Sequence, residues 1–443
     1  MEAAKKQYKI ITYGCQMNEH DSEKIAGMLE DMGYIATEEL DEADIIFLNT
    51  CVVRENAELK VFGKIGSLKK LKEKNPDLII GIGGCMMQVD EVVDEIYKKY
   101  PQVDLVLGTH NIHRLPDLIG QIQEQKKRVF EVWPEDDGLI PDVPVKRDGD
   151  HKAWISIIRG CNNFCSYCIV PHVRGRERSR PSDQIISEVK EVVQKGVKEI
   201  TLLGQNVNSY GHDLEEDIDF AELLQKLEII SGLQRIRYMT SHPKDFSQKM
   251  IEVIKNNNKV CEHFHLPVQS GSTRILKKMN RGYSRDDYRN LIYKIRDNVD
   301  EPSITTDIIV GFPGETEKDF EKTLDLVKEL RFDMAFTFAY SPRKGTNAAA
   351  MEGQLSEEIK QKRLQRLMEI QNRISYENNL RYEGRVVQVL VEGESKNNPD
   401  TFMGRSRRNK LVIFPRKNNI KGEIINVKIN RVKSWTLYGE IVD

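Results

Sequence analysis

The chain has 443 residues, of which 31% are charged and 39% hydrophobic, with a formal net charge of -2. That length allows two or three domains with sizeable cores, and the balance is that of a globular protein, not a disordered or fibrous one. No stretch approaches the roughly 18 apolar residues of a membrane span. The N-terminus, MEAAKKQYKI, lacks the apolar core of a signal peptide, so the expectation is a cytoplasmic protein with no membrane partner. Seven cysteines are an odd count for a secreted disulfide scaffold. Reduced thiols serving metal chemistry fit a cytosolic protein better.

In chain order, the first block alternates strand and helix. The apolar run Tyr8–Tyr13 leads into a helix whose Ile25, Met28, Leu29 and Met32 fall at i, i+3, i+4 and i+7. Further strands are predicted at Asp44–Leu48, Leu78–Ile82 and Asp104–Leu107, with helices at Glu55–Lys74 and Val89–Lys98 between them. Repeated βα units predict an open parallel α/β sheet with helices on its faces. The stretch EVWPEDDGLIPDVPVKRDGD, rich in Asp and Pro, reads as a linker. From Ala153 the alternation resumes, with strands at Ala153–Ile158, Glu199–Leu203, Arg235–Met239, His263–Leu266, Ile304–Val310 and Met334–Ala339. Helical stretches, among them Pro181–Lys195, Asp245–Asn256, Tyr283–Asn298 and Thr316–Leu330, lie between. Six such units predict a partial (βα)6 TIM-like barrel with its site at the strand C-termini. A polar helix from Ser356 to about Leu380 leads to a β-rich tail, with runs at Arg385–Val391, Leu411–Phe414, Glu423–Ile429 and Ser434–Val442. That pattern suits a small antiparallel β-barrel.

Two groups of cysteines carry the chemistry. RGCNNFCSYCIVPHVRGRERSR places Cys161, Cys165 and Cys168 in one short loop after the first barrel strand. A closed zinc site wants four ligands, and His172 is the one local candidate for the fourth. Three thiolates instead suit an iron–sulfur cubane with one open iron. Such an iron can chelate the amino and carboxylate groups of S-adenosylmethionine, a cofactor for radical chemistry that side chains cannot perform alone. Tyr167 just before the last cysteine is also expected in that setting. The loop resembles that of the radical S-adenosylmethionine superfamily. The second group is dispersed: Cys15, Cys51 and Cys85 each follow one of the first three predicted strands. Ligands of open α/β sheets gather at the carboxyl ends of the strands, so these three converge at one edge. Each alone would more often be a packed thiol. Together, with Gly14, Gly83 and Gly84 beside them, they fit a second cluster approached closely by backbone. Cys261 has no cysteine near it in sequence and reads as a core residue.

YGCQMN, NTCVVREN, RGCNNFCSYCIVPHVRGRERSRP, HFHLPVQSGS and YSPRKGT resemble the methylthiotransferases, and most of all their tRNA branch. The resemblance covers essentially the whole chain. It implies a methylthiotransferase N-terminal domain at 6–125, a radical S-adenosylmethionine core at 147–377 and a TRAM RNA-binding domain at 379–443. It further implies two 4Fe-4S clusters, a reducing electron donor and a tRNA bearing N6-isopentenyladenosine. One S-adenosylmethionine would methylate a sulfur on the auxiliary cluster, and another would be cleaved to the radical that removes the hydrogen from adenine C2. The product would be 2-methylthio-N6-isopentenyladenosine; a monomer is expected. The sister branch acting on threonylcarbamoyladenosine usually has Lys-Val where this chain has Gln16 and Met17, and the ribosomal-protein branch has Pro-Lys. His172 and Met87 depart from the tRNA branch, which often has Tyr and Ala there. A non-enzymatic, zinc-stabilised RNA-binding protein is the alternative of another class.

Weaker signals follow the same map. Gly204, Gln205 and Asn206 end the second barrel strand, where the superfamily holds the methionine amino group; a plain turn reads equally well there. Gln269 and Ser270 close the fourth strand and Tyr340 the sixth, as further cofactor contacts. VGFPGET lacks the Lys-Ser/Thr ending of a P-loop and reads as a strand-end turn. For RNA the candidates are Gln16 and Asn18, Arg174 and Arg176 beside the cysteine loop, and Arg405, Arg407 and Arg408 in the tail. From Asn379 to Asp443 there are 13 Lys+Arg and 7 Asp+Glu, a net of +6, which leaves -8 for the remainder. A basic tail on an acidic body points to a polyanion, although an ordinary solvated basic face has the same charge.

Overall fold

The computed structural model describes residues 5–52, 55–135, 143–147, 149, 151–396, 398–417 and 420–442. The chain divides into two compact units. The first comprises residues 1–148, 159–162 and 169–180, and the second residues 149–158, 163–168 and 181–443.

The first unit is built on a parallel sheet of strands β1 (Gln7–Thr12), β2 (Ile35–Ala36), β3 (Ile45–Thr50), β4 (Ile79–Gly84), β5 (Leu105–Leu107) and β6 (Val129–Glu131), in the order β2-β1-β3-β4-β5-β6. Successive side chains of β3 go to opposite faces. Ile45 and Phe47 join the core under helices Gln16–Asp31 and Leu115–Gln125, while Ile46 and Leu48 join the one under Glu55–Lys74 and Asp90–Lys99. Burial on both faces is why these central strands read as continuous apolar runs. Phe47 is fully buried, worth about 1.5–3 kcal/mol. A Cβ at Gly81 or Gly83 would meet its ring at 2.7 or 2.8 Å. The predicted strands are all present; β2 and β6 are additions at the two edges. Strand β6 takes the first residue of the stretch expected to be linker, much of which lies outside the described residues.

In the second unit two three-stranded parallel sheets supply the six expected barrel strands. Lys152–Ser156, Glu199–Leu203 and Arg235–Tyr238 form one, with Glu199–Leu203 in the middle. His263–His265, Ser303–Val310 and Met334–Ala339 form the other, with Ser303–Val310 in the middle. A parallel bridge, Ile236 to Val260, joins the two halves. Alternate residues, such as Ile200, Leu202, Ile236, Phe264, Ile304 and Ile308, pack outward against the helices in one large core. Helix Glu357–Leu380, capped by Ser356, leads to a closed five-stranded barrel of Val386–Ser395, Asn398–Ser406, Leu411–Pro415, Ile424–Val432 and Thr436–Val442. This corrects the tail in two respects. Asn398–Ser406 is an unforeseen strand, because its Asn, Pro, Asp and Gly carry a turn signature. The pairing of Leu411–Pro415 with Thr436–Val442 is parallel, so the barrel is not wholly antiparallel.

Candidate functional site

Because β1, β3 and β4 are neighbours and parallel, their carboxyl ends lie along one edge of the sheet. Cys51 and Cys85 come directly after β3 and β4, and Cys15 three residues after β1. Cys15 is exposed and is the N-cap of helix Gln16–Asp31, while Cys51 and Cys85 are buried. The loops are tied together by amides. Asn18, with no exposed surface, donates from Nδ2 to Asn49 Oδ1 (3.1 Å) and the Thr50 carbonyl (3.0 Å); Asn49 Nδ2 donates back to the Asn18 carbonyl (2.8 Å). The Cys15 thiol faces Asn18 Oδ1 at 3.5 Å. Two glycines are needed at this edge. Gly14 (φ +146°) lies where a Cβ would meet Asn18 Oδ1 at 2.6 Å and Cys51 Cβ at 3.0 Å, and Gly84 (φ +97°) where it would meet the Thr50 carbonyl at 2.4 Å. Gln88 fixes the turn after Cys85, accepting from the Thr109 amide (2.9 Å) and donating to the Trp133 carbonyl (2.9 Å).

Arg174 completes this group. Its side chain is 8% exposed, pairs with Asp21 at 2.7 Å and donates from Nε to Cys85 Sγ at 3.0 Å. Its Nη2 is buried with no hydrogen-bond partner. Burial pulls against its charge, but Asp21, Cys85 and Cys15 outweigh that and hold it protonated. Burial pushes the Cys85 thiol up to about 11. Among the described residues, no three His, Cys, Asp or Glu side chains close tightly enough to enclose a single metal ion. Thiolates round a cubane each hold their own iron and stand wider apart. An orphaned buried donor, a cationic neighbour and a backbone cradle with no room for a Cβ fit such a group.

The loop with the other three cysteines contributes to both units. In the first, the Cys161 amide donates to the Gly175 carbonyl (3.1 Å), and Asn162 and Glu177 bond each other's amides (3.1 and 3.2 Å). His172, the candidate fourth zinc ligand, is exposed on the short helix Val170–Arg174. In the second unit the Cys168 amide donates to the Cys165 carbonyl (2.9 Å). Ser166 bonds the Met279 and Lys278 carbonyls (3.0 and 2.8 Å), and Asn280 bonds the Phe164 carbonyl (3.0 Å). Tyr167 packs on the cluster holding Ile275, Met279, Phe312 and Tyr340; burial raises its pKa. Sequence reasoning missed Arg281, whose Nη1 donates to Cys165 Sγ (3.2 Å) and the Tyr167 hydroxyl (3.4 Å). It also missed Asp21. Neither partner is near in sequence, so no spacing signal existed.

The candidate cofactor residues separate into two kinds. Gln205 and Gln269 have buried Oε1 atoms without a partner at the ends of the second and fourth barrel strands. Gln269 has φ +69°, as does Thr240 (φ +66°) after the third strand, and strain of this kind collects at functional sites. These orphaned acceptors fit an ammonium ligand. Gly204 lets Ile158 approach, since a Cβ would meet its side chain at 2.3 Å. Asn206 and Ser270 are braces: Asn206 bonds Asp245 and the His242 amide (2.8 and 3.0 Å), and Ser270 accepts from the Ser272 amide (3.2 Å). The turn at 311–314 has φ +74° and +75° at its glycines, and Glu315 accepts from the Gly311 amide (2.7 Å). Cys261 is 1% exposed, as expected of a core thiol.

For the RNA candidates the structure redirects the reading. Asn18 is buried and the Arg174 side chain 8% exposed, and Met17 is 6% exposed, whereas Gln16 is partly exposed and Arg176 exposed. Arg407 forks onto Glu262 (2.6–3.1 Å) and the Asn258 and Val260 carbonyls (3.0 and 2.7 Å). Arg408 bonds the Glu301 carbonyl (2.7 Å), and Arg405 bonds Asn409 (3.2 Å). In return Arg235 and Arg237 donate to the carbonyls of residues 405–407 (2.7–3.0 Å). Arg235, Arg237, Arg407 and Arg408 thus fasten the small barrel to the (βα)6 part, whereas the Arg405 side chain stays within the tail. Exposed basic groups of the tail include Lys428, Arg431 and Lys433, beside the exposed ring of Trp435, with Arg431 over the Tyr438 ring at 4.3 Å.

The Radical SAM superfamily model matches residues 155–327, the model of Uncharacterized protein family UPF0004 residues 7–108, and the TRAM domain residues 380–442. A tRNA-2-methylthio-N(6)-dimethylallyladenosine synthase of Desulforamulus reducens is 57% identical over 99% of this chain and 96% of its own. Proteins of the same name from Thermoanaerobacter pseudethanolicus (55%; 98% and 93%) and Carboxydothermus hydrogenoformans (53%; 99% and 100%) are similar. Among solved structures, the radical S-adenosylmethionine methyltransferase TsrM from Kitasatospora setae, with cobalamin and a [4Fe-4S] cluster bound, matches with a TM-score of 0.57. It is 14% identical over 78% of this chain and 77% of its own, a likeness of fold. Membership of the radical superfamily implies a 4Fe-4S cluster and S-adenosylmethionine. No described helix is long and apolar enough to cross a membrane. The chain belongs to the tRNA-2-methylthio-N(6)-dimethylallyladenosine synthase family of radical S-adenosylmethionine transferases.

Proposed function

We propose that this chain methylthiolates C2 of N6-isopentenyladenosine beside the anticodon of tRNA, giving 2-methylthio-N6-isopentenyladenosine. The observation that carries this reading is the presence of two three-thiol groups in one chain, one of them gathered at adjacent parallel strand ends. We assign a 4Fe-4S cluster to each, held by Cys161, Cys165 and Cys168 and by Cys15, Cys51 and Cys85. With S-adenosylmethionine they supply the methylated sulfur and the radical needed at an aromatic C–H, which acid–base side chains cannot open. The chain's own residues bind and position. The Asn18–Asn49 amide pair sets the loops of Cys15 and Cys51. Gln205 and Gln269 offer acceptors for the methionine ammonium, with Tyr167 and Tyr340 in the wall beside them. The three modules correspond to residues 6–125, 147–377 and 379–443.

Gln16 and Met17 bring no charge to the strand-end edge of the first unit. An apolar isopentenyl group gains by desolvation, whereas a threonylcarbamoyl carboxylate needs a cation. An anticodon-loop adenine is extruded at a cost of only about a few kcal/mol. Arg176 and the Lys428–Trp435 face of the tail serve for phosphate and base contacts. The reductant is a separate electron donor, the protein acts as a monomer, and the substrate tRNA places it in the cytoplasm. The reduced, cluster-loaded protein incubated with tRNA bearing either modified adenosine, followed by nucleoside analysis, tests the reading. Methylthiolation of the threonylcarbamoyl substrate alone overturns the choice of base, and a colourless protein without iron or sulfide overturns the chemistry.

A further inference from the structure

Arg281 is 5% exposed, and a guanidinium in that position needs an anion. Burying an unpaired cation is strongly unfavourable, even after relaxation. Its polar neighbours are the Pro267 carbonyl (2.9 Å), the hydroxyls of Tyr283 (3.0 Å) and Tyr167 (3.4 Å), and Cys165 Sγ (3.2 Å). None is a carboxylate. Arg174 differs: it also donates to a cysteine sulfur, but Asp21 already balances its charge. The Arg281 backbone is also fixed in place. Its amide bonds the Leu276 carbonyl (3.0 Å), and the adjoining residues 278–280 are stitched to the cysteine loop through Ser166 and Asn280. The protein thus builds a rigid, dry, positively charged donor against one sulfur of the group.

We propose that Arg281 is the resident counter-ion and hydrogen-bond donor of the Cys161/Cys165/Cys168 cluster, a positioning residue that makes this cluster easier to reduce. The proposal rests on reading that trio as a cluster site. A cubane with three thiolate ligands carries net negative charge, and its potential responds to charge and to hydrogen bonds on its sulfurs. Reduction adds a further negative charge, which a fixed guanidinium stabilises. A residue that only braced the loop through Pro267 and Tyr283 would leave the potential alone.

The test is an EPR-monitored redox titration of the reconstituted full chain, following the cluster signal that changes when S-adenosylmethionine is added. That response identifies the cluster whose open iron chelates S-adenosylmethionine. In Arg281→Gln the midpoint should move to more negative potential, and in Arg281→Lys it should fall between the two, since charge is kept and the fork is lost. Where Arg281→Gln loses this signal, the midpoint of Arg281→Lys decides. If Arg281→Gln does not fold, Arg281→Lys alone decides. A wild-type midpoint at full iron content, in whichever variant is read, overturns the proposal. Absence of any S-adenosylmethionine-responsive signal in the unaltered protein overturns the cluster reading itself.

Discussion

Asn18 separates a structural from an RNA-binding role. In Asn18→Ala the acceptors Asn49 Oδ1 and the Thr50 carbonyl, served at 3.1 and 3.0 Å, lose their donor in a site closed to water. Each buried group left unpaired costs about 1–3 kcal/mol. Allowing for some relaxation of the loop, the total is about 3 kcal/mol. For a cooperative unit of this size, each kcal/mol lowers Tm by roughly 2–4 °C, so a fall of about 6–12 °C is expected. Differential scanning calorimetry of the iron-free protein measures this without cluster loss confounding it. Asn18→Asp keeps the shape but opposes a carboxylate to two acceptors, and should be no better than Ala. In the loaded protein the iron bound at the Cys15, Cys51 and Cys85 group should fall, because Cys15 and Cys51 lose their tie. A direct RNA contact through Asn18 predicts the opposite pattern, with Tm held and tRNA affinity reduced. An unchanged Tm in both variants would refute the reasoning from the amide pair.

Gly84→Ala places a Cβ at 2.4 Å from the Thr50 carbonyl in a backbone conformation with φ +97°; the strain alone is about 1–3 kcal/mol, and lower Tm with lower iron content in the same preparation is the expected result. Arg407→Ala removes the fork onto Glu262 and should destabilise the protein by about 1–3 kcal/mol with the salt slope of tRNA binding intact. The pair Arg431→Glu and Lys433→Glu should do the reverse, holding Tm and lowering the slope of log affinity against log salt by about 1 per residue; fluorescence anisotropy across a salt series reads both. In iron-free protein, iodoacetamide should label exposed Cys15 first. Only a thiolate reacts, and burial holds Cys85 protonated until pH nears about 11. Peptide mass spectrometry checks the order, and equal labelling of all three at pH 8 would contradict it.

What the sequence exposed follows from how local each signal was. Strands β3 and β4 were legible because both faces are buried, which writes an apolar run directly into the chain, and the cysteine just beyond each run fixed the edge they share with β1. Strands β2 and β6, of two and three residues, are too short to carry any period. The strand Asn398–Ser406 hid behind turn-forming residues that the ladders on either side override. The arginines were the hardest to place. In sequence Arg174 and Arg407 are basic residues in basic runs, the pattern that suggests phosphate. Their partners, Asp21, Cys85 and Glu262, lie far away in the chain, so neither spacing nor composition could separate a buried guanidinium from a solvated one. The same holds for Arg281 and Cys165, separated by 116 residues. A run of Arg is therefore weak evidence for RNA in a chain that also carries thiolate groups. Each such group creates its own demand for a fixed positive charge, and the guanidinium, planar and weakly hydrated, is the side chain best able to meet it in a dry interior.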